Sequence, residues 1–175
     1  TYKNIYRFVE PFINDCIEVR IDQIDTITFR FSDGIKDAET LMIDPPTRDL
    51  YVLSKHPVGV YRVPFPQALK DTLTLERLQS IPLTEVTGGD ILYDGSNIII
   101  KSYKTIYCWK RLAGETVANA LMRSAQQLPY TIEPQGEGIA WSRDGSAYYT
   151  ISEERFGSRL KLGKYSKKDL VLIRR

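Results

Sequence analysis

Asp94-Gly95-Ser96-Asn97 and Asp144-Gly145-Ser146 are two copies of one turn, and Asp44-Pro45-Pro46-Thr47-Arg48-Asp49 is a longer third form. Before each turn runs a short apolar segment with an acidic residue near its start. After each turn runs a segment rich in Tyr, Ile, Val and Leu, residues that favour strands. Strand-rich repeats of about 50 residues are typical of β-propellers. The sequence therefore predicts an all-β protein, a portion of a β-propeller.

The repeat divides one domain, residues 1–175, into four parts. Residues 1–33 are predicted to hold the last two strands of a preceding blade, and blades follow at 37–82, 84–132 and 135–175. Each blade is predicted as a four-stranded antiparallel sheet, so the chain holds about three and a half blades. The predicted strands include 16–21, 39–43, 50–54, 74–78, 159–165 and 170–173.

Two further features complete the fold prediction. Val117, Leu121 and Ala125 recur at every fourth position, which predicts one short amphipathic helix inserted over residues 115–127. Closed propellers typically have 4–8 blades. We therefore expect another chain, or a missing N-terminal segment, to complete the ring. A bundled or sandwich fold is the alternative.

Composition excludes several classes of function. The apolar and charged fractions, 42% and 26%, are ordinary for a soluble globular domain. A net charge of +2 gives no reason to expect a nucleic-acid partner. No apolar run is long enough for a transmembrane segment. The single histidine, His56, excludes a histidine metal cluster within this chain, and Cys16 and Cys108 form no metal motif, although one disulfide between them is an open alternative.

Acidic residues recur at the start of the predicted inner strands. Glu39 and Glu137 fall in equivalent positions of their repeats, whereas Asp90 lies a few residues from the matching position, for which Thr87 is the strict equivalent. Hairpin pairing is expected to bring Lys55 near Glu39 and Lys101 near Asp90. Because the start of an inner strand and the end of the next strand meet at one mouth of a propeller, carboxylates and lysines are expected to gather there.

Three interpretations of this predicted cluster remain open. Glu39, Asp90 and Glu137 could bind Ca²⁺, a cation that prefers oxygen ligands. They could also act as acid and base groups, with Lys55 or Lys101 holding an anionic substrate. Alternatively, each carboxylate accepts backbone hydrogen bonds and pairs with a local lysine, so that the charges position neighbouring blades without any chemistry.

Further segments stand out in the sequence: Val86-Thr87-Gly88-Gly89-Asp90 and Gln135-Gly136-Glu137-Gly138-Ile139-Ala140, together with residues 5–11, 32–39, 49–55 and 59–64. In their order along the chain they resemble a family of uncharacterised bacterial β-propeller proteins that are usually exported. The resemblance covers most of the chain and implies a propeller in an extracytoplasmic location, periplasmic or secreted. It implies no established activity.

A looser similarity links the chain to phytase-like and gluconolactonase-type propellers. In those proteins an acidic residue followed by glycine can contribute to a metal site, and Glu137-Gly138 matches that pattern. Two functions are therefore predicted. The first is a binding or assembly module of the bacterial envelope. The alternative is a Ca²⁺-assisted hydrolase of a phosphate ester or lactone.

Overall fold

The computed structural model describes residues 1–12, 18–154 and 160–166. Within these ranges strands dominate, and one short helix, α1 (Val117–Leu121), interrupts them. The strands are β1 (Lys3–Arg7), β2 (Asp25–Phe31), β3 (Ala38–Ile43), β4 (Leu50–Ser54), β5 (Gly59–Val63), β6 (Leu73–Leu75), β7 (Arg77–Ser80), β8 (Val86–Ile91), β9 (Asn97–Ser102), β10 (Ile106–Lys110), β11 (Gln126–Leu128), β12 (Gly136–Trp141), β13 (Ala147–Ser152) and β14 (Leu162–Ser166).

The strands form four separate sheets. The first sheet has the order β1-β2-β6, the second β3-β4-β5-β7, the third β8-β9-β10-β11 and the fourth β12-β13-β14. Neighbouring strands are antiparallel except for β2 and β6, which are parallel. In the part of the chain that the structure describes, no sheet closes on itself. The all-β prediction with repeated sheets is confirmed.

The repeat seen in the sequence is a repeat of backbone geometry. A turn joins the first two strands of the second, third and fourth sheets, and each turn contains a residue in the left-handed conformation. Gly95 and Gly145 lie at equivalent positions, with φ of 76° and 64°, and Arg48 lies one position later in its turn, with φ of 61°. Each first strand also contains a β-bulge, which leaves Glu39, Thr87 and Glu137 without a partner in register. The equivalence of these three residues, expected from the sequence, is confirmed.

The structure corrects two predicted elements. The strand predicted at 74–78 is wrong as one element, because β6 pairs with β2 of the first sheet whereas β7 pairs with β5 of the second. The helix predicted over 115–127 is only one turn and a half at Val117–Leu121, and the chain then forms edge strand β11. The strand predicted at 170–173, parts of those at 16–21 and 159–165, and Cys16 lie outside the described residues.

The sheets pack face to face through apolar side chains. Strands β3, β8 and β12, the first strands of their sheets, lie next to one another. Every residue from Ile98 to Ser102 is buried, because β9 is covered by the second sheet on one face and by the fourth on the other. No helix among the described residues is long and apolar enough to cross a membrane.

Candidate functional site

A chain of polar contacts crosses three sheets at the start of their first strands. The ammonium of Lys55 contacts Glu39 Oε1 at 2.6 Å and Tyr103 Oη at 3.1 Å. The hydroxyl of Tyr103 donates to Glu137 Oε1 at 2.9 Å. The hydrogen bond to Glu39, followed by that to Tyr103, raises the pKa of Lys55. The predicted proximity of Lys55 and Glu39 is confirmed, and Tyr103 extends this cross-sheet polar chain to the fourth sheet.

Asp90 lies apart from this chain, between the third and fourth sheets. Its carboxylate accepts the backbone N–H of Ile91 at 2.8 Å and that of Trp141 at 2.7 Å. Burial raises the pKa of Asp90, and the two backbone hydrogen bonds oppose that rise. Its register partner is Ile99, whereas Lys101 faces Gly88, so the two charged residues are not direct cross-strand partners. Asp90 therefore fastens β8 to β12.

Lys101 is fully buried between the third and fourth sheets. Its ammonium donates to the carbonyl oxygen of Gly136 and, at 3.3 Å, to that of Ser102, and it lies 4.5 Å from the centre of the Tyr130 ring. Burial lowers the pKa of Lys101 to about 8, although the charges of Glu133 and Glu137 oppose this shift. Lys101 is therefore a structural donor across the interface and not an exposed anion-binding group.

Three further side chains complete a buried polar cluster around Lys101. Glu133 accepts from the hydroxyl of Thr150 and, at 3.3 Å, from that of Tyr130. The close approach of Gly136 makes room for the cluster, because a Cβ there would lie 2.5 Å from Tyr130 Oη and 2.8 Å from Lys101 Nζ. Lys101, Tyr130 and Glu133 thus fill the space that a larger residue at position 136 would occupy.

The predicted calcium ligands are not brought together. Glu39 pairs with Lys55, Glu137 accepts from Tyr103, and Asp90 accepts from the backbone. Among the described residues no group of three or more His, Cys, Asp and Glu side chains is placed to hold a metal ion. The physical reason is the bulge in each first strand, which sets Glu39 and Glu137 out of register while Asp90 stays in the regular ladder.

One ion pair between sheets was not predicted from the sequence. Asp44 is almost fully buried and accepts two hydrogen bonds from the Arg111 guanidinium, the second at 3.1 Å, together with one from the Thr47 hydroxyl. Arg111 comes from the segment after β10, 67 positions further along the chain. Nothing local in the sequence indicates this partner.

The remaining chemically reactive side chains have ordinary surroundings. Cys108 is a free cysteine, and burial raises its pKa to about 11, which keeps the thiol protonated at neutral pH. His56 is exposed in the turn between β4 and β5. The open alternative of a disulfide involving Cys16 falls outside the described residues.

Comparison with known proteins gives a likeness of fold only. No protein-family model matches the chain, and no curated protein matches it. Among solved structures, the hydrazine synthase of Kuenenia stuttgartiensis is similar, with a TM-score of 0.53 and 14% sequence identity. The similarity covers 75% of this chain and 34% of that one, so the chain spans about a third of the protein it matches. At this identity the likeness carries no activity across.

Proposed function

We propose that the chain is a portion of a β-propeller that serves as a binding or assembly module. Support comes from the packing of β3, β8 and β12 side by side and from the bulge that recurs in each of them. First strands arranged around a common axis are the architecture of propeller blades. The resemblance to exported propeller proteins supports a location in the bacterial envelope.

The assembly proposal rests on an apolar surface of β3 that is exposed to solvent. Leu41 and Ile43 are 46% and 56% exposed. In register they lie beside Val52 and Leu50, which are buried under Phe29 and its neighbours in the first sheet. The second sheet thus has one continuous apolar face. The first sheet covers the part of this face on β4 but leaves the part on β3 exposed.

Repetition indicates what belongs on this face. β3 packs against β8 and β8 packs against β12, whereas the described part of the first sheet provides no strand in the corresponding position beside β3. Strands added to the free edge of β1 would extend the first sheet beyond its three strands and would cover Leu41 and Ile43. We therefore infer that further blade strands, from this protein or from a partner, complete the assembly there.

The hydrolase alternative has less support from the geometry. A hydrolytic site needs acid, base or metal-binding groups that are available to a substrate. Glu39, Glu137 and Asp90 are instead each bonded within the protein, and Lys101 is buried. The bonds of Glu137 and Asp90 run between neighbouring sheets, which is what an assembly module requires.

Thiol labelling tests the assembly proposal. The variants Leu41→Cys and Ile35→Cys are made in the full-length protein after Cys16 and Cys108 are replaced by serine. Ile35 is 79% exposed in the loop before β3 and serves as the control. If strands cover β3, the thiol at position 41 should react about tenfold or more slowly than that at position 35. Equal rates in the native full-length protein would overturn the proposal.

A calcium titration separates the two functions. Ligand that binds the folded form raises the melting temperature with its concentration. For an assembly module we expect no shift at millimolar Ca²⁺, and the same response from wild type and Glu137→Gln. A saturable rise that Glu137→Gln abolishes would instead support the calcium-dependent hydrolase.

A further inference from the structure

An apolar groove lies at the outer edges of the second and third sheets. It is bounded by the segment that follows β7, by β10, and by the chain from α1 to β11. Its apolar lining includes Leu83, Tyr107, Trp109, Leu121, Met122 and Ala125. The cavity volume is about 510 Å³. Small-molecule sites typically have about 300–1,000 Å³, so the groove has the size of a ligand site.

Hydrogen bonds hold the walls of the groove in place. The indole N–H of Trp109 donates to the carbonyl oxygen of Arg123 at 2.9 Å, which joins β10 to the segment after α1. The amide of Gln79 on β7 donates to the carbonyl oxygen of Ala118 on α1 at 2.7 Å. The groove is therefore preformed by contacts from both sheets, and binding would not need to order it.

The charge of the groove indicates the chemistry of its ligand. Arg123 is the charged residue of its lining, and its guanidinium is bonded to both carboxylate oxygens of Glu115, at 3.1 and 2.8 Å, and to the carbonyl oxygen of Lys110. A second cavity, by contrast, is lined by Asp49, Arg62, Asp94, Arg111 and Glu115. The first groove offers apolar and aromatic surface without an unpaired charge.

We propose that this groove binds an uncharged, ring-containing apolar small molecule. The rings of Tyr107 and Trp109 lie 6.2 Å apart at an interplanar angle of 39° and provide an aromatic wall. Met122, which is 66% exposed, stands at the rim, where its flexible side chain can close over a ligand. This site is independent of whether further strands complete the propeller.

Two probes with the same ring system test the chemistry. N-phenyl-1-naphthylamine is neutral, and 8-anilino-1-naphthalenesulfonate adds one negative charge. Titrations followed by probe fluorescence should give saturable 1:1 binding of the neutral probe, about tenfold or more tighter than that of the sulfonate. In Trp141→Phe, which leaves Trp109 as the remaining tryptophan, the neutral probe should quench tryptophan emission. Absence of saturable binding, or equal affinity for both probes, would overturn the proposal.

A matched pair of variants locates the probe. Met122→Glu places a charge at the rim of the groove and should weaken neutral-probe binding about tenfold. Leu112→Glu makes a similar change at a residue of the second cavity that is 58% exposed, and should leave binding unchanged. Both positions are exposed, so folding should be retained. Equal effects of the two variants would sink the assignment, as would unchanged affinity in a folded Ala125→Trp, which fills the groove.

Discussion

The third sheet packs against the second sheet on one side and against the fourth on the other. Equivalent positions of the repeat are apolar at the first of these interfaces and charged at the second. Between the second and third sheets, Met42 and Leu53 are buried in an apolar cluster. The equivalent positions one repeat later hold Asp90 and Lys101, which face the fourth sheet. Each polar residue has partners there, Asp90 with two backbone N–H groups and Lys101 with a carbonyl oxygen.

Charged residues that recur in a repeated β fold can be structural contacts between sheets. A buried polar group destabilises the fold unless it is hydrogen-bonded, and at the third–fourth interface the bonds run from one sheet to the next. The charges therefore add polar contacts to an interface that also contains an apolar cluster, formed by Ile99, Ile106, Leu128 and Tyr148. Their recurrence in the sequence reflects the repeat of the fold as much as any reaction.

The largest effect is expected in the apolar interface. Leu53 is completely buried, and Leu53→Ala removes its packing without a route for the sheets to close the cavity. We expect the free energy of unfolding to fall by about 4 kcal/mol, measured by urea denaturation. Exposed Leu78→Ala is the control and should have little effect. A loss below about 1 kcal/mol for Leu53→Ala would mean that the apolar interface is not the main source of stability.

The buried ion pair at the rim of the same interface is expected to come next. Asp44→Ala leaves the Arg111 guanidinium, whose side chain is only 10% exposed, without its carboxylate. Breaking a buried pair in this way should cost about 3 kcal/mol of unfolding free energy. Asp144→Ala removes a turn aspartate of the fourth sheet whose hydrogen bonds lie within its own turn, and it should cost clearly less. Similar losses for both variants would show that the Arg111 pair adds nothing.

A pair of adjacent glycines compares the two interfaces directly. A Cβ at Gly88 would lie 2.6 Å from the backbone oxygen of Glu137 in the fourth sheet. A Cβ at Gly89 would lie 2.9 Å from side-chain atoms of Met42 and Thr40 and 3.0 Å from the backbone oxygen of Ile99 in its own sheet, so its backbone contact is less close. We expect Gly88→Ala to lower the melting temperature more, with a loss of about 2 kcal/mol against about 1 kcal/mol for Gly89→Ala. The reverse order would contradict the tight polar contact.

The smallest effect is expected in the cross-sheet polar chain. Tyr103→Phe removes the hydrogen bonds to Lys55 and Glu137 while it keeps the ring. A loss of about 0.5–1 kcal/mol is expected in urea denaturation, because a partly exposed hydrogen bond adds little net stability. Tyr93→Phe, at a tyrosine that is 67% exposed, is the matched control. If both substitutions are neutral, the chain of contacts does not join the sheets.

Local patterns were sufficient to predict part of this structure. The strand at 50–54 and the contact of Lys55 with Glu39 follow from a continuous apolar run after a turn and from one short hairpin, both of which lie within about 20 residues of sequence. The equivalence of Glu39, Thr87 and Glu137 follows from counting back from the turns. Each of these inferences needs only contacts within one repeat.

Contacts between repeats could not be predicted in the same way. The Arg111–Asp44 pair and the donation from Trp141 to Asp90 join residues in different sheets, and no sequence pattern specifies such partners. The strand predicted at 74–78 failed for the same reason, since β6 leaves its own sheet to pair with β2. The one-residue bulges likewise decide which face a side chain takes, and a sequence pattern does not reveal them.

The pH dependence of the unfolding free energy measures directly whether Lys101 is buried between the third and fourth sheets. The pKa is about 8 in the folded chain and 10.5 for an ordinary lysine, so the unfolded state holds the proton more tightly. The unfolding free energy of wild type minus that of Lys101→Met should therefore rise as the pH increases from about 8 to 10.5, in total by about 3 kcal/mol. Tyrosine ionisation contributes equally to both proteins and cancels. A difference that stays flat or falls over this range would contradict a lysine buried between the third and fourth sheets.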